Sequence, residues 1–345
     1  MPISLMEDRG SVATSDFHYE LVPNWEKLPA GYVHKDVVGI GVDSKDRVII
    51  LTRNDAHVMV YDHDGTFVGA WPHHLFEKGR THGVRVGPDD AVWIVDDKQH
   101  TVRKFSPSGE LLMMLGTPGV GSNSGYDSSK DGADLWTRLN TITRGGGPFN
   151  RPTGVAIAPS GEFYVSDGYA NCQVHRFTAD GKLIQSWGEP GTGPGQFHLP
   201  HDVWVTKDER VFVCDRENDR IQIFSKDGKF LDMWSHVQRP TSVIVGPDGL
   251  FYVSELSRRK GMLSYTNGVA PEDLPGRVAI LDEDGRVLHR WGTLDRTAPG
   301  QFCAPHCLCV DSRGDIYVGE VTWTDWGSKG LVPEGTHMFQ KFTRK

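Results

Sequence analysis

Apolar and polar residues alternate in short runs along most of this chain, and the runs come in sets of four. Residues 152–188 show the pattern whole: PTGVAIAPSGEFYVSDGYANCQVHRFTADGKLIQSWG. Residues 200–235 repeat it as PHDVWVTKDERVFVCDRENDRIQIFSKDGKFLDMWS. Alternation with period two marks half-buried strands. The strands are separated by turns such as GPDD, APSG, TKDE, GPDG and DSRG after the first strand, and SPSG, TADG, SKDG and DEDG before the fourth. Short strands with Gly and Asp turns, recurring at roughly 40–50 residues, predict an all-β propeller.

Six copies are countable, at about 36–71, 80–116, 149–188, 197–235, 238–292 and 302–345. Residues 1–345 therefore read as one domain, a six-bladed β-propeller. The last copy loses regularity after GEVTWTDWG and regains a strand at HMFQKFT, which leaves FHYELVPNW near 17–25 to pair with it and close the ring. Closure by an N-terminal strand removes exposed sheet edges. Two insertions interrupt the period. Residues 117–148 are rich in Gly and Ser, with a short helix expected at DLWTRLNTI, and lie where a lid over the channel mouth or a surface loop would lie. Within it, Asp127–Gly132 has the start of a calcium loop without an acid at its twelfth position. The second insertion, 257–276, is basic and then acidic.

Composition narrows the function classes. The net charge of -8 without a basic stripe argues against nucleic acid or an anionic membrane as partner, leaving a small-molecule substrate. No apolar run nears the roughly 18 residues of a membrane span, and MPISLMEDRG lacks an apolar leader core, so a cytoplasmic location is expected. The five cysteines, an odd number, read as reduced thiols. Three of them, Cys303, Cys307 and Cys309, flank His306, so a thiolate ligand competes there with ordinary buried cysteine.

The chemistry begins with position rather than with count. The first strands read THGVRVGPD, PTGVAIAPS, PHDVWVTKD, PTSVIVGPD and PHCLCVDSR, so His82, His201 and His306 share one repeat position and alternate with Thr153 and Thr241. In a ring of six, every second blade is a third of a turn from the next, and matched positions converge on the axis. Singly, each histidine could be a hydrogen-bonded strand residue; three in alternation predict a metal centre with an open coordination position. Zinc suits three imidazoles best, while iron, copper or manganese also accept them.

The segments FNRPTGVAIAPSGEFYVSDGYANCQVHRFTADGKLIQSWGE, GPGQFHLPHDVW, VCDRENDRIQIF and FCAPHCLCVDSRGDIYVGE resemble peptidyl-α-hydroxyglycine α-amidating lyases, whose propellers carry NHL-like repeats. The resemblance covers most of the chain, is densest over 149–235 and fades through 255–300. It implies zinc held by His82, His201 and His306, an active-site tyrosine at Tyr169 in SDGY, and active-site arginines at Arg53 and Arg216. It also implies a carbinolamide substrate, N–CH(OH)–COO⁻, split into an amide and glyoxylate. In that reading Tyr169 is the base, Arg53 clamps the carboxylate or transition state, and Arg216 supports from behind. The competing reading packs the Tyr169 ring on a neighbouring blade and pairs the arginines with turn carboxylates such as Asp55, Asp215 or Glu217.

Departures from the family matter. Ala304-Pro305-His306-Cys307 replaces methionine-Pro-His-Asp, which reshapes the pocket wall and removes a ligand of the family's structural calcium, leaving Asp202 as a substitute. Asn150 and Ile223 stand where the family has cysteines, so Cys172 and Cys214 are expected to be unpaired. With neither a leader nor a preceding monooxygenase expected, the implied substrate is a small metabolite or xenobiotic rather than a peptide hormone. A metal-dependent hydrolase of an ester, lactone or amide uses the same ligands. A non-catalytic propeller binding a protein partner uses only the fold.

Overall fold

The alternating runs form four-stranded antiparallel sheets, one per repeat. In a computed structural model of the chain, which describes residues 17–54, 57–72, 76 and 80–345, the inner strands are Val37–Val42, Thr81–Val86, Pro152–Ile157, Pro200–Val205, Pro240–Val245 and Pro305–Val310. Each inner strand packs against that of the next blade, and the sixth packs against the first, so the sheets close into a six-bladed propeller. The outer strand of blade six is Tyr19–Leu21, antiparallel to Phe339–Arg344, with Tyr19 opposite Arg344 and Leu21 opposite Phe342. The expected closure is present.

Burial follows strand position. Second strands such as Val48–Thr52, Val92–Asp96, Val211–Asp215 and Ile316–Glu320 are buried along their whole length, while outer strands such as Leu111–Leu115 are largely exposed. The recurrence of Gly in the third turn and Trp at the end of the fourth strand has a packing cause. Trp187 of blade three lies on Gly228 of blade four, and Trp234 of blade four lies on Gly285 of blade five. A Cβ there would stand 2.8 and 2.4 Å from the indoles, and both glycines have left-handed φ values of +70° and +80°. Blades three and four thus each seal against the next with one indole, while Leu115 and Met113 of blade two take that place against Gly181 of blade three.

The insertion at 117–148 is packed, not loose. Its helix Leu135–Leu139 is capped by Asp134, which accepts from Thr137 N, and Leu139 and Ile142 are buried against blades three and four. Asp127 accepts from Ser129 N within the turn and Asp131 pairs with Arg151 of blade three, so both acids of the calcium-like stretch already have partners. The second insertion carries a hairpin, Leu263–Ser264 with Gly268–Val269, and meets the first where Tyr265 Oη donates to Asn140 Oδ1 at 2.8 Å. No helix among the described residues is long and apolar enough to cross a membrane.

Candidate metal centre

Every inner strand breaks register at the same point. The residue skipped in the ladder is Val38, His82, Thr153, His201, Thr241 or His306 in blades one to six. A bulge adds an unpaired residue, re-aims its side chain and leaves its carbonyl without a ladder partner. Here both effects are used. The three bulged histidines turn to the axis, and the bulged residues between them offer their carbonyls.

His82 Nδ1 donates to Thr153 O at 2.7 Å, His201 Nδ1 to Thr241 O at 2.7 Å, and His306 Nδ1 to Val38 O at 3.0 Å. A carbonyl only accepts, so each Nδ1 carries the proton and each Nε2 keeps a lone pair. The odd blades therefore fix the tautomers of the even ones. Two threonines do more: Thr153 Oγ1 donates to Pro200 O at 2.7 Å and Thr241 Oγ1 to Pro305 O at 3.0 Å, pinning the residue before His201 and before His306.

The three rings are nearly equidistant, with centroids 4.8, 4.9 and 4.8 Å apart, and their candidate ligand atoms lie within 4.8 Å of one another. All three are buried. Burial, reinforced by Arg53 and Arg80 at His82, by Arg216 at His201, and by His82 and Arg53 at His306, holds each imidazole well below its ordinary pKa and hence neutral. Neutral, correctly tautomerised imidazoles facing one point fit a divalent transition metal. No cysteine joins this group among the described residues. Burial pushes the Cys303 thiol up to about 12 and the Cys307 and Cys309 thiols higher still, so they remain protonated beside the histidines.

Tyr169 approaches the centre from above. Its Oη lies 3.2 Å from His82 Nε2 and 3.3 Å from His201 Nε2, and accepts from Arg216 Nη1 at 3.2 Å. Its ring also packs edge-on to His82, so the packing role and the polar contact coexist. Arg216 pairs with Glu217 at 2.8 Å, one of the carboxylates named from sequence, and Arg239 binds the same acid. Burial opposes the charge on Glu217, but Arg239 and Arg216 bring its pKa down to about 2. Arg53 pairs with Asp36 at 3.3 Å; Asp55 lies outside the described residues. Arg53, Tyr169, Arg216 and His306 all line one cavity of about 340 Å³. The first insertion contributes Asp134, Leu135, Trp136 and Arg138 to its wall.

Below the histidines the channel carries its own cation. Arg85, on the same strand as His82, holds both oxygens of Asp202 at 3.2 Å, and its Nε donates to Val155 O at 3.1 Å. Asp202 also accepts from Ser242 Oγ at 2.8 Å and Val243 N at 3.2 Å. With every near neighbour a donor, the carboxylate form is the one accommodated, although burial pushes its pKa up. Gly154 leaves the room, since a Cβ there would lie 2.5 Å from Asp202 Oδ1. The carboxylate left as a calcium substitute is thus already neutralised, and these residues do not fit a structural calcium.

Fold and site together define a class: a six-bladed propeller with an axial histidine triad able to hold a metal. The NHL repeat model matches residues 149–177 and 197–224. NHL repeat-containing protein 3 of Homo sapiens is 31% identical over 328 residues, covering 89% of this chain and 83% of that protein. The chain belongs to this NHL-repeat family. Peptidyl-alpha-hydroxyglycine alpha-amidating lyase 1 of Drosophila melanogaster is 29% identical over 261 residues, covering 70% of this chain and 42% of that protein. Among solved structures, a streptogramin B lyase superposes with a TM-score of 0.58 at 12% identity, covering 96% of this chain and 98% of that one, which shows the fold alone.

Proposed function

We propose that this chain is a metal-dependent lyase that cleaves the C–N bond of an α-hydroxyglycine-type carbinolamide, giving an amide and glyoxylate. The observation that carries the reading is the Tyr169 hydroxyl, set within 3.3 Å of two metal-facing histidine nitrogens and touched by Arg216. A divalent cation, zinc first, held by His82, His201 and His306 would supply a Lewis acid that polarises the substrate hydroxyl.

The chain's own residues do the rest. Acting as a tyrosinate, Tyr169 Oη would take the hydroxyl proton as the C–O bond becomes a carbonyl, the electron pair of the breaking C–N bond would pass to nitrogen, and the phenol so formed would return that proton to nitrogen to give the amide. Arg53 faces the same cavity from beside Asp36 and holds the carboxylate, fixing the carbon for elimination. Arg216, fixed between Glu217 and Tyr169, keeps the phenol oriented. Burial of the triad keeps bulk water from competing for the open position. The five unpaired, buried thiols support a reducing, cytoplasmic setting. The relationship to an amidating lyase supports the reaction class, and the cavity of about 340 Å³, in whose wall neither Ala304 nor Cys307 takes part, supports a small-molecule substrate.

The test is elemental analysis of the purified protein followed by assay of α-hydroxyhippurate. One transition metal per chain and release of benzamide with glyoxylate are expected. Release of benzoate instead would assign a hydrolase, and absence of a stoichiometric metal would remove the catalytic reading.

A further inference from the structure

The two insertions do not merely decorate the ring; they meet above blade four and roof the cavity. The first sends Asp134, Leu135, Trp136 and Arg138 into its wall, the second Arg259 and Met262. They are tied by Tyr265 Oη donating to Asn140 Oδ1, and the Tyr265 ring stacks on His198 of blade four at 3.7 Å. The third side of the roof is the turn after Glu320, with Asp325, Trp326 and Lys329.

Charge in this cavity is unbalanced in a particular place. Seven cationic side chains line it against two carboxylates. Four of the seven are paired from behind: Arg53 with Asp36, Arg80 with Asp97, and Arg216 and Arg239 with the single carboxylate of Glu217. All four belong to the propeller's own blades and turns. The two arginines supplied by the insertions, Arg138 and Arg259, form no ion pair among the described residues. Arg259 lies over the Trp326 ring at 5.5 Å. Lys329 Nζ donates to the carbonyl of Asp325. Of the two lining acids, Asp134 is turned into its own helix, accepting from Thr137 N and Oγ1, which leaves Asp325 against three cations.

A second observation points the same way. Arg138 Nε and Trp136 Nε1 are buried donors without an acceptor, and both side chains line the cavity. A buried donor left unpaired costs the desolvation of that group, so an acceptor arriving at a wall that carries two of them is favoured. Guanidinium groups with free donors receive carboxylate or phosphate oxygens best.

We propose that the roof is a second anion subsite, in which Arg138 and Arg259 bind a negatively charged group on the amide side of the substrate, opposite the carboxylate held by Arg53. The substrate class is then a dianionic carbinolamide, such as an N-acyl-α-hydroxyglycine whose acyl group ends in a carboxylate. This rests on the proposed lyase reading for the substrate's reacting end, but the anion subsite itself is a binding property and is measured separately.

The probes are the unreactive pair N-glutarylglycine and N-pentanoylglycine, which differ in a terminal carboxylate, titrated calorimetrically into zinc-loaded protein. The dianion is expected to bind about tenfold tighter, the factor for one charge-assisted contact. In Arg138→Gln/Arg259→Gln the ratio is expected to fall to near one. Arg138→Lys/Arg259→Lys, which keeps the charge, should retain part of the preference and so separates a lost anion contact from a misfolded roof. Equal binding of the two probes by the wild type, binding of neither, or a preference that survives the glutamine variant would overturn the proposal. Assay of the α-hydroxylated pair for glyoxylate runs in parallel. A binding preference without glyoxylate keeps the subsite and removes the lyase; glyoxylate released equally from both, without a binding preference, removes the subsite and keeps the lyase.

Discussion

Two layers of one channel treat positive charge in opposite ways. In the upper layer three neutral histidines converge with their lone pairs inward, each with its proton parked on a neighbouring blade's carbonyl. In the lower layer a carboxylate, Asp202, is met by a guanidinium that the chain itself provides, Arg85. The layers are separated by one position in the inner strand: His201 belongs to the first and Asp202 to the second. The upper layer presents three lone pairs that a cation from solution could complete, whereas the lower one is complete on folding. Function and stability are thereby divided between neighbouring residues.

Breaking the upper layer should give the largest effect. His201→Ala is expected to lower metal affinity by more than about a hundredfold, since even outer-sphere partners of a metal are worth roughly ten- to a hundredfold; elemental analysis after dialysis reads this directly. Retained stoichiometric metal would show that the triad is not the ligand set. Next comes Tyr169→Phe, which leaves all three histidines in place. Turnover should fall roughly a hundredfold, in the range of a lost general base, with metal content unchanged. Normal turnover in that variant would remove Tyr169 from the chemistry.

Breaking the lower layer should act on stability instead. Arg85→Leu strands a buried carboxylate and is expected to destabilise by about 3 kcal/mol, seen as a lower denaturation midpoint with the metal still bound. Adding Asp202→Leu to it should recover part of the loss, because no unpaired charge then remains; a further loss would show that Arg85 was not there to neutralise Asp202. The smallest effect belongs to the seam between blades. Thr241→Val keeps the carbonyl that orients His201 but removes the hydroxyl that holds Pro305, costing about 1 kcal/mol. Chemical denaturation and a metal titration together would show whether that strain reaches His306.

The blade count, the strand order and the closing pairing of Tyr19–Leu21 with Phe339–Arg344 were legible because alternation and turn chemistry are local. The triad was legible because a repeat places equal positions at equal radii, so His82, His201 and His306 needed no coordinates to be grouped. The bulge that aims them was not, since nothing in PHDVW distinguishes a skipped residue from a paired one. Thr153 and Thr241 showed in the sequence only as the absence of histidine, and their carbonyls became visible as tautomer-fixing acceptors only once neighbouring blades were in register. Arg85 carried no signal of its own, because its partners Asp202 and Val155 come from other blades. The second insertion showed only as a basic and then acidic stretch for the same reason: the cavity that Arg259 lines and the Trp326 ring beneath it come from other parts of the ring.

Ring closure has a consequence for how the protein is made. His306 stands on a blade whose last two strands are the final and the first of the fold, so that blade is complete only when Tyr19–Leu21 and Phe339–Arg344 have paired. A ribosome-bound intermediate would display His82 and His201 with no third member, a weak and promiscuous chelator. A metal held by the triad would accordingly be acquired late in biogenesis, after a zipper of three residue pairs far from the centre has closed.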